Sequence, residues 1–226
     1  YEPVDRPVLW EWGPWEATVK RWRQEGGFEG PPPEYRDCDP REGVGVDTGF
    51  VPGFERRVVE DDGRTILYVN EKGQLLRDMQ HAEESMPEFV DYPVKGRKDW
   101  EALKFRMDPR SPGRYPADWE TRVERWRAGR TAPLGLGGGR DDGLFSYLRE
   151  IMGAERALLL LHDDPALAHE IMEYRTEFLM GTMERALREA QPDWVIFWED
   201  MAYRTASLIS PAMFRQFMLP RYKRLA

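Results

Sequence analysis

The sequence is poor in the residues that carry most metal and redox chemistry. Of its 226 residues one is a cysteine, Cys38, and three are histidines, His81, His162 and His169. A lone cysteine excludes an internal disulfide and a multi-cysteine zinc site within this chain. No two histidines stand at a ligand spacing, and His162 and His169 are expected at the surface. No apolar run approaches the roughly 20 residues of a membrane helix, and no secretory signal is visible. Basic residues (33) are outnumbered by acidic ones (41), for a net charge of -8, and no basic block stands out, so a nucleic-acid surface is not expected. A cytoplasmic protein with neither membrane nor nucleic-acid partners is the expectation.

Hydrophobic residues make up 41% of the chain, enough for a sizeable core. The chain opens on YEPVDRPVLWEWG, without Met, and closes on FRQFMLPRYKRLA inside an expected helix. We therefore read residues 1–226 as one incomplete domain, trimmed at both ends.

Periodicity and turn residues divide the chain into elements. PVLWEW (7–12) reads as a buried strand, and Trp15 to Gln24 as a helix stopped by Gly26-Gly27. Glycine and proline make 28–52 irregular loop. Two β-rich runs flank Asp62-Gly63, a hairpin signal, and a third begins at Lys72-Gly73. This 55–78 unit reads as an excursion from the main core. Short helices are expected near 98–105 and 117–128, a strand over 132–138 ending in glycines, and helices over 143–152 and 154–161. Asp164-Pro165 opens a long helix with Leu167, Ile171, Tyr174, Phe178, Thr182 and Leu187 as its apolar stripe. DWVIF then reads as a strand, and Ser210-Pro211 as the start of the last helix. Strands alternating with helices, apolar on both faces, imply a parallel sheet covered by helices, with ligands at its carboxyl ends.

The stretch DWVIFWEDMA (193–202) places Glu199 and Asp200 where such a strand would deliver side chains into a site. Successive strand residues face opposite ways, so one of the two is expected inside and the other outside. A carboxylate in an aromatic-lined mouth is desolvated and its pKa should rise, which suits proton transfer to a leaving-group oxygen. The alternative is that both only hold the loop through salt bridges. GLGGGRDDG (135–143) lacks the Lys-Ser/Thr of a phosphate loop. Its glycines let backbone approach a ligand, with Arg140, Asp141 and Asp142 either lining the mouth or simply solvated. Trp10 and Trp12 offer a flat apolar wall. Trp15, Trp22, Trp100, Trp119 and Trp126 are expected in core or interface.

Three segments, PLGLGG…GLFSYLREIMG, LHDDPALAHEIM and DWVIFWEDMA…LISPAMFRQFMLPRYKRL, resemble the uroporphyrinogen decarboxylase superfamily. The 55–77 unit and MPEFVDYPVKGRKDWEALKFRMDP are similar to its uncharacterised, methyltransferase-like branch. The resemblance implies an α/β fold, a (β/α)8 TIM barrel. It would be present here as a truncated barrel with an inserted β-hairpin or meander, 132–226 being the best-matched βα units and the C-terminal strands lying beyond the chain. Such a half barrel exposes sheet edge, so self-association, for example as a homodimer, is expected.

The resemblance also sets expectations for chemistry. The true decarboxylase grips acidic side arms with paired arginines in an early loop, where this chain has LWEWGPWEATVKRW. It carries serine where this chain has Asp200, and only its helix-start tyrosine is retained, as Tyr147. The leading expectation is therefore a corrinoid-dependent methyltransferase, moving a methyl group between a small methylated substrate, a corrinoid carried on a partner protein, and a thiol or folate acceptor. Zinc, where relatives use it, would be held by residues outside this chain. The alternatives are a decarboxylase-like carbon–carbon lyase of porphyrin metabolism and a non-catalytic ligand-binding barrel. From the match, Asp200, Glu199 and Tyr147 are the expected catalytic residues, with Asp200 favoured as the inward carboxylate and Glu199 turned toward a neighbouring arginine. Trp10, Trp12, Trp198, Arg140, Asp141 and Tyr203 are the expected substrate-binding residues.

Overall fold

The computed structural model describes residues 9, 14–26, 38–80 and 86–226. Of the expected buried strand at 7–12 only Leu9 is described, and it is exposed; the rest, including Trp10 and Trp12, lies outside the described residues, as does His81. Two sheets are present. Three short parallel strands, β1 (Glu42–Gly43), β6 (Leu134–Gly137) and β7 (Trp194–Ile196), lie in the order β1-β6-β7. Between β1 and β6 the chain builds an antiparallel meander, β2 (Arg57–Asp61), β3 (Thr65–Val69), β4 (Leu75–Met79) and β5 (Glu88–Asp91), paired in sequence order. The architecture is mixed α/β, and the described parallel strands form an open sheet, not a closed barrel.

Two strands depart from expectation. β1 falls in the glycine-rich stretch read as loop, because a strand of two residues has too few positions to show alternation. β5 adds a fourth strand to the 55–78 unit; its alternating burial is carried by only four residues, EFVD. The Asp62-Gly63 turn is as expected, with Gly63 at φ +80° and Asp62 Oδ1 accepting from the Arg64 and Thr65 amides.

The helices follow the expected bounds closely. They are α1 (Glu16–Gln24), α2 (Arg97–Leu103) with a 3-10 turn to Met107, α3 (Trp119–Ala128), α4 (Leu144–Met152), α5 (Ala154–Asp163), α6 (Pro165–Glu189), α7 (Pro211–Met213) and α8 (Leu219–Leu225). A π-helical turn, Phe214–Met218, joins the last two. Asp164 caps α6 by accepting from the Leu167 amide at 2.9 Å, and Ser210 caps α7 through the Met213 amide at 3.1 Å. The buried face of α6 includes Leu167, Ile171, Phe178 and Thr182, but Leu187 is exposed and Ala186 takes its place.

The sheet has two different faces. Leu134 and Leu136 are buried and belong to the hydrophobic core. The opposite face carries Gly43, Gly135, Gly137, Trp194 and Ile196, and the Trp194 indole lies directly over Gly135. The strands are therefore not apolar on both faces as expected: one face of β6 is glycine. Trp100, Trp119 and Trp126 are buried, whereas Trp15 is exposed. His169 is not a solvated surface residue; its ring stacks on Phe217 at 4.5 Å. Among the described residues no helix is long and apolar enough to cross a membrane.

Helix α2 is tied to α6 by one carboxylate. Glu170 accepts from Arg97 Nη1 (2.5 Å), Lys104 Nζ (2.7 Å) and Trp100 Nε1 (3.0 Å). The bonds from Lys104 and then Arg97 hold its carboxyl at about 2, below the ordinary 4.5. A folded-state pKa below the unfolded one gives stability that is complete above about 4.5 and lost as pH falls toward about 2. Glu170→Gln is expected to flatten the acid limb of a melting-temperature curve across that window; an unchanged limb would show that Glu170 contributes nothing there.

Candidate functional site

In parallel strands the carboxyl ends share one edge of the sheet, so the loops after β1, β6 and β7 meet there. Around the first two lies a cleft of about 470 Å³, lined by residues 43–49, Lys72, Gly135, Gly137, Gly139, Asp141 and Asp142.

The loop after β1 is fixed by two buried guanidinium groups. Arg114 Nη1 donates to the carbonyls of Asp47 (3.2 Å) and Gly49 (2.6 Å), and Arg175 Nη1 to that of Thr48 (2.8 Å). Arg175 Nη2 reaches the Asp141 carbonyl at 2.8 Å and lies 3.5 Å from Asp142 Oδ1. Thr48 Oγ1 donates to Asp142 Oδ1 at 2.5 Å, and the Gly139 amide donates to Oδ2 at 2.7 Å. Burial pushes the Asp142 carboxyl above its ordinary value, against the opposing pull of Arg175 and Thr48. Asp142 thus joins the loops after β1 and β6, while Asp47 and Asp141 remain nearer solvent.

The meander, a sheet of its own, reaches this wall through Lys72. In its β3–β4 turn, Asn70 Oδ1 accepts from the amides of Lys72 (3.0 Å) and Gln74 (2.9 Å). The Gln74 side chain, buried, donates to the Glu150 carbonyl on α4 at 2.8 Å. Gly73, at φ +77°, admits no side chain, since a Cβ would stand 2.9 Å from the Phe54 ring. This turn sets Lys72 Nζ 3.4 Å from Asp141 and 3.2 Å from Glu150. Arg140 lies 3.7 Å from Glu150 on the same network.

Glu199 and Asp200 lie near the start of α4. Glu199 Oε1 accepts from the amides of Leu144 (2.6 Å) and Phe145 (3.1 Å), and Oε2 from Ser146 (2.8 Å), so the side chain caps α4. Tyr222 on α8 also donates to it, and burial together with this carboxylate pushes the Tyr222 hydroxyl above its ordinary pKa. A Cβ at Gly143 would collide with the Trp198 carbonyl at 2.1 Å, so glycine is needed where this strand end meets the helix. Glu199 does not turn toward an arginine, as expected from the sequence; the helix N-terminus supplies its donors instead. Asp200 does approach one, with Arg149 Nη1 at 3.4 Å from Oδ2 and 2.7 Å from its carbonyl, and Trp198 Nε1 donating to Oδ1 at 2.9 Å.

Of the other expected site residues, Asp141 lines the cleft and Arg140 stands beside it. Tyr147 is a core residue, not a mouth residue: it is 1% exposed and its hydroxyl donates to Met107 Sδ at 2.9 Å. Trp198 is committed to Asp200, and Tyr203 is 72% exposed on a loop closed by the Ala202–Ser207 bridge. Asp47, Thr48 and Lys72 were missed. The available signal was DTG at 47–49, three residues clear of the two-residue strand, which its glycine-rich setting concealed.

The two adjacent carboxylates should separate experimentally. Glu199→Ala strands three amides and the Tyr222 hydroxyl and is expected to cost about 2–4 kcal/mol. Asp200→Ala, at a partly exposed ion pair, is expected to cost less than about 1 kcal/mol. Urea denaturation followed by circular dichroism reads both; equal losses would contradict the capping role.

Among the described residues no group of three or more His, Cys, Asp or Glu is placed to hold a metal ion. Neither a curated protein nor a solved structure matches the chain. A family model does: that of uroporphyrinogen decarboxylase (URO-D), over residues 75–226. The match runs from β4 to the end of α8 and takes in Asp141, Asp142, Glu199 and Tyr222. With more than half of its length covered, the chain belongs to the uroporphyrinogen decarboxylase (URO-D) family, whose members are generally enzymes.

Proposed function

We propose that the protein is a corrinoid-dependent methyltransferase, acting on a small methylated compound held in the cleft at the carboxyl ends of β1 and β6. The observation that carries this reading is the charge of the cleft wall. Among the described residues lining it, one is a cation, Lys72, three are carboxylates, Asp47, Asp141 and Asp142, and none is an arginine. The nearby guanidinium groups are already engaged: Arg175 with carbonyls and Asp142, Arg149 with Asp200, Arg140 with Glu150. A porphyrinogen bearing many carboxylates would meet like charge without the forked donors that bind such groups. A compact ligand of low net charge meets no such penalty.

A corrinoid on its partner protein would supply the cobalt that exchanges the methyl group. The residues present are compatible with its approach at the β1 edge, where Gly43 leaves the sheet face open; over Gly135 the Trp194 indole covers that face. This chain would hold the methylated compound, with Lys72 and Asp47 orienting it and the buried Asp142 keeping the two loops in register. No step is assigned to zinc.

The full-length protein, incubated with methylcobalamin and a thiol, is expected to accelerate the loss of the methylcobalamin visible spectrum. It is expected to release no carbon dioxide from uroporphyrinogen. Decarboxylation without methyl transfer would replace this reading with a lyase. Neither activity, with Asp47→Asn leaving every phenotype intact, would favour a non-catalytic ligand-binding barrel.

A further inference from the structure

The β3–β4 turn is built more tightly than a surface turn requires. Asn70 closes it with two backbone acceptances and a 2.9 Å side-chain bond to Gln74, and Gln74 is only 2% exposed. Phe54 packs against Gly73, so the turn cannot shift toward that side. Gln74 donates to both the carbonyl (2.8 Å) and the carboxylate (3.2 Å) of Glu150, which anchors the turn on α4. The outcome is one lysine delivered to the cleft.

An ammonium group has three donors. Lys72 donates one of them to Glu150 at 3.2 Å and pairs with Asp141 at 3.4 Å, both longer than the 2.7–2.9 Å typical of strong charged hydrogen bonds. Its side chain is 37% exposed and lines the cleft, so it can serve a further acceptor there. Asp47 lines the same cleft and is exposed. Its Oδ1 accepts from the Gly49 amide at 2.8 Å, and among the described residues no cation pairs with its carboxylate. The guanidinium of Arg114, behind the loop, goes to carbonyls instead. Cation and anion thus stand in one cleft, each with capacity for an opposite charge.

We propose that the cleft takes a small zwitterion, a methylated ammonium joined to a carboxylate, with Lys72 reading the carboxylate and Asp47 the cation. The meander is then a specificity element of the site. The methylated part of this assignment rests on the methyl-transfer reading; the charge pattern does not.

Titration calorimetry on the full-length protein tests it with glycine betaine and three relatives. Choline keeps the cation, 3,3-dimethylbutanoate keeps the carboxylate and the shape, and glycine keeps both charges without methyl groups. Glycine betaine is expected to bind at least about tenfold more tightly than choline or 3,3-dimethylbutanoate. Lys72→Gln is expected to erase the preference over choline and keep the preference over 3,3-dimethylbutanoate. Asp47→Asn is expected to do the reverse, so each variant also reports that the other's loss is not misfolding. Equal binding of betaine, choline and 3,3-dimethylbutanoate, no binding of betaine, or unchanged preferences in both variants would overturn the proposal. Glycine binding as tightly as glycine betaine would support the charge assignment and overturn its methylated part, while the methyl-transfer reading stands or falls on the methylcobalamin assay.

Discussion

The mouth of this protein depends on two arginines buried beneath it. Arg114 is 2% exposed and Arg175 is 0% exposed, and both direct their donors mainly to main-chain carbonyls. A buried charge is tolerated only when its hydrogen bonds are made. Arg114 finds the carbonyls of Asp47, Gly49, Arg106 and Asp108, and burial still pulls its pKa below the ordinary value. The cost of that burial is offset only while these loops hold their shape. Loop geometry and core packing are coupled for this reason, and a glycine-rich segment, GVGVDTGF, keeps one conformation without regular structure of its own.

A second tie works by the opposite sign. Glu199 puts a carboxylate at the N-terminus of α4, where unpaired amides and the helix dipole favour negative charge. Through Tyr222 the same side chain gathers α8, so the end of β7, the start of α4 and the last helix converge on one group. The adjacent acid, Asp200, lies outside this arrangement and meets Arg149 nearer solvent. Two neighbours in sequence, both beyond the end of β7, therefore serve different ends.

Much of the helical half was legible because its signals are local. Asp164-Pro165 and Ser210-Pro211 announce caps, and the spacing from Leu167 to Thr182 reports a buried stripe. Leu187 misled because apolar character alone does not say which face is covered. The site was less legible, because its determinants are long-range. Nothing near Glu199 in sequence names Leu144, Phe145 and Ser146 as its donors, and nothing near Lys72 names Glu150, 78 residues away. Tyr147 shows the reverse error. A tyrosine at a helix start was assigned to the mouth by resemblance, yet its ring packs beneath Arg175 with the centroid 4.6 Å away.

The meander alters how the family fold is to be understood in this chain. A TIM barrel places its active site at the carboxyl ends of its strands and varies chemistry through the loops that follow them. Here the segment between β1 and β6 is long enough to form its own sheet, and a sheet positions a side chain more firmly than an irregular loop can. The ladder from β2 to β5 fixes the β3–β4 turn from both sides, and Gln74 locks that turn onto α4. Lys72 is in consequence tied to the family core through Glu150, although it precedes the matched region by three residues. The cleft therefore combines Asp141 and Asp142 from the matched region with Asp47 and Lys72 from the residues that precede it.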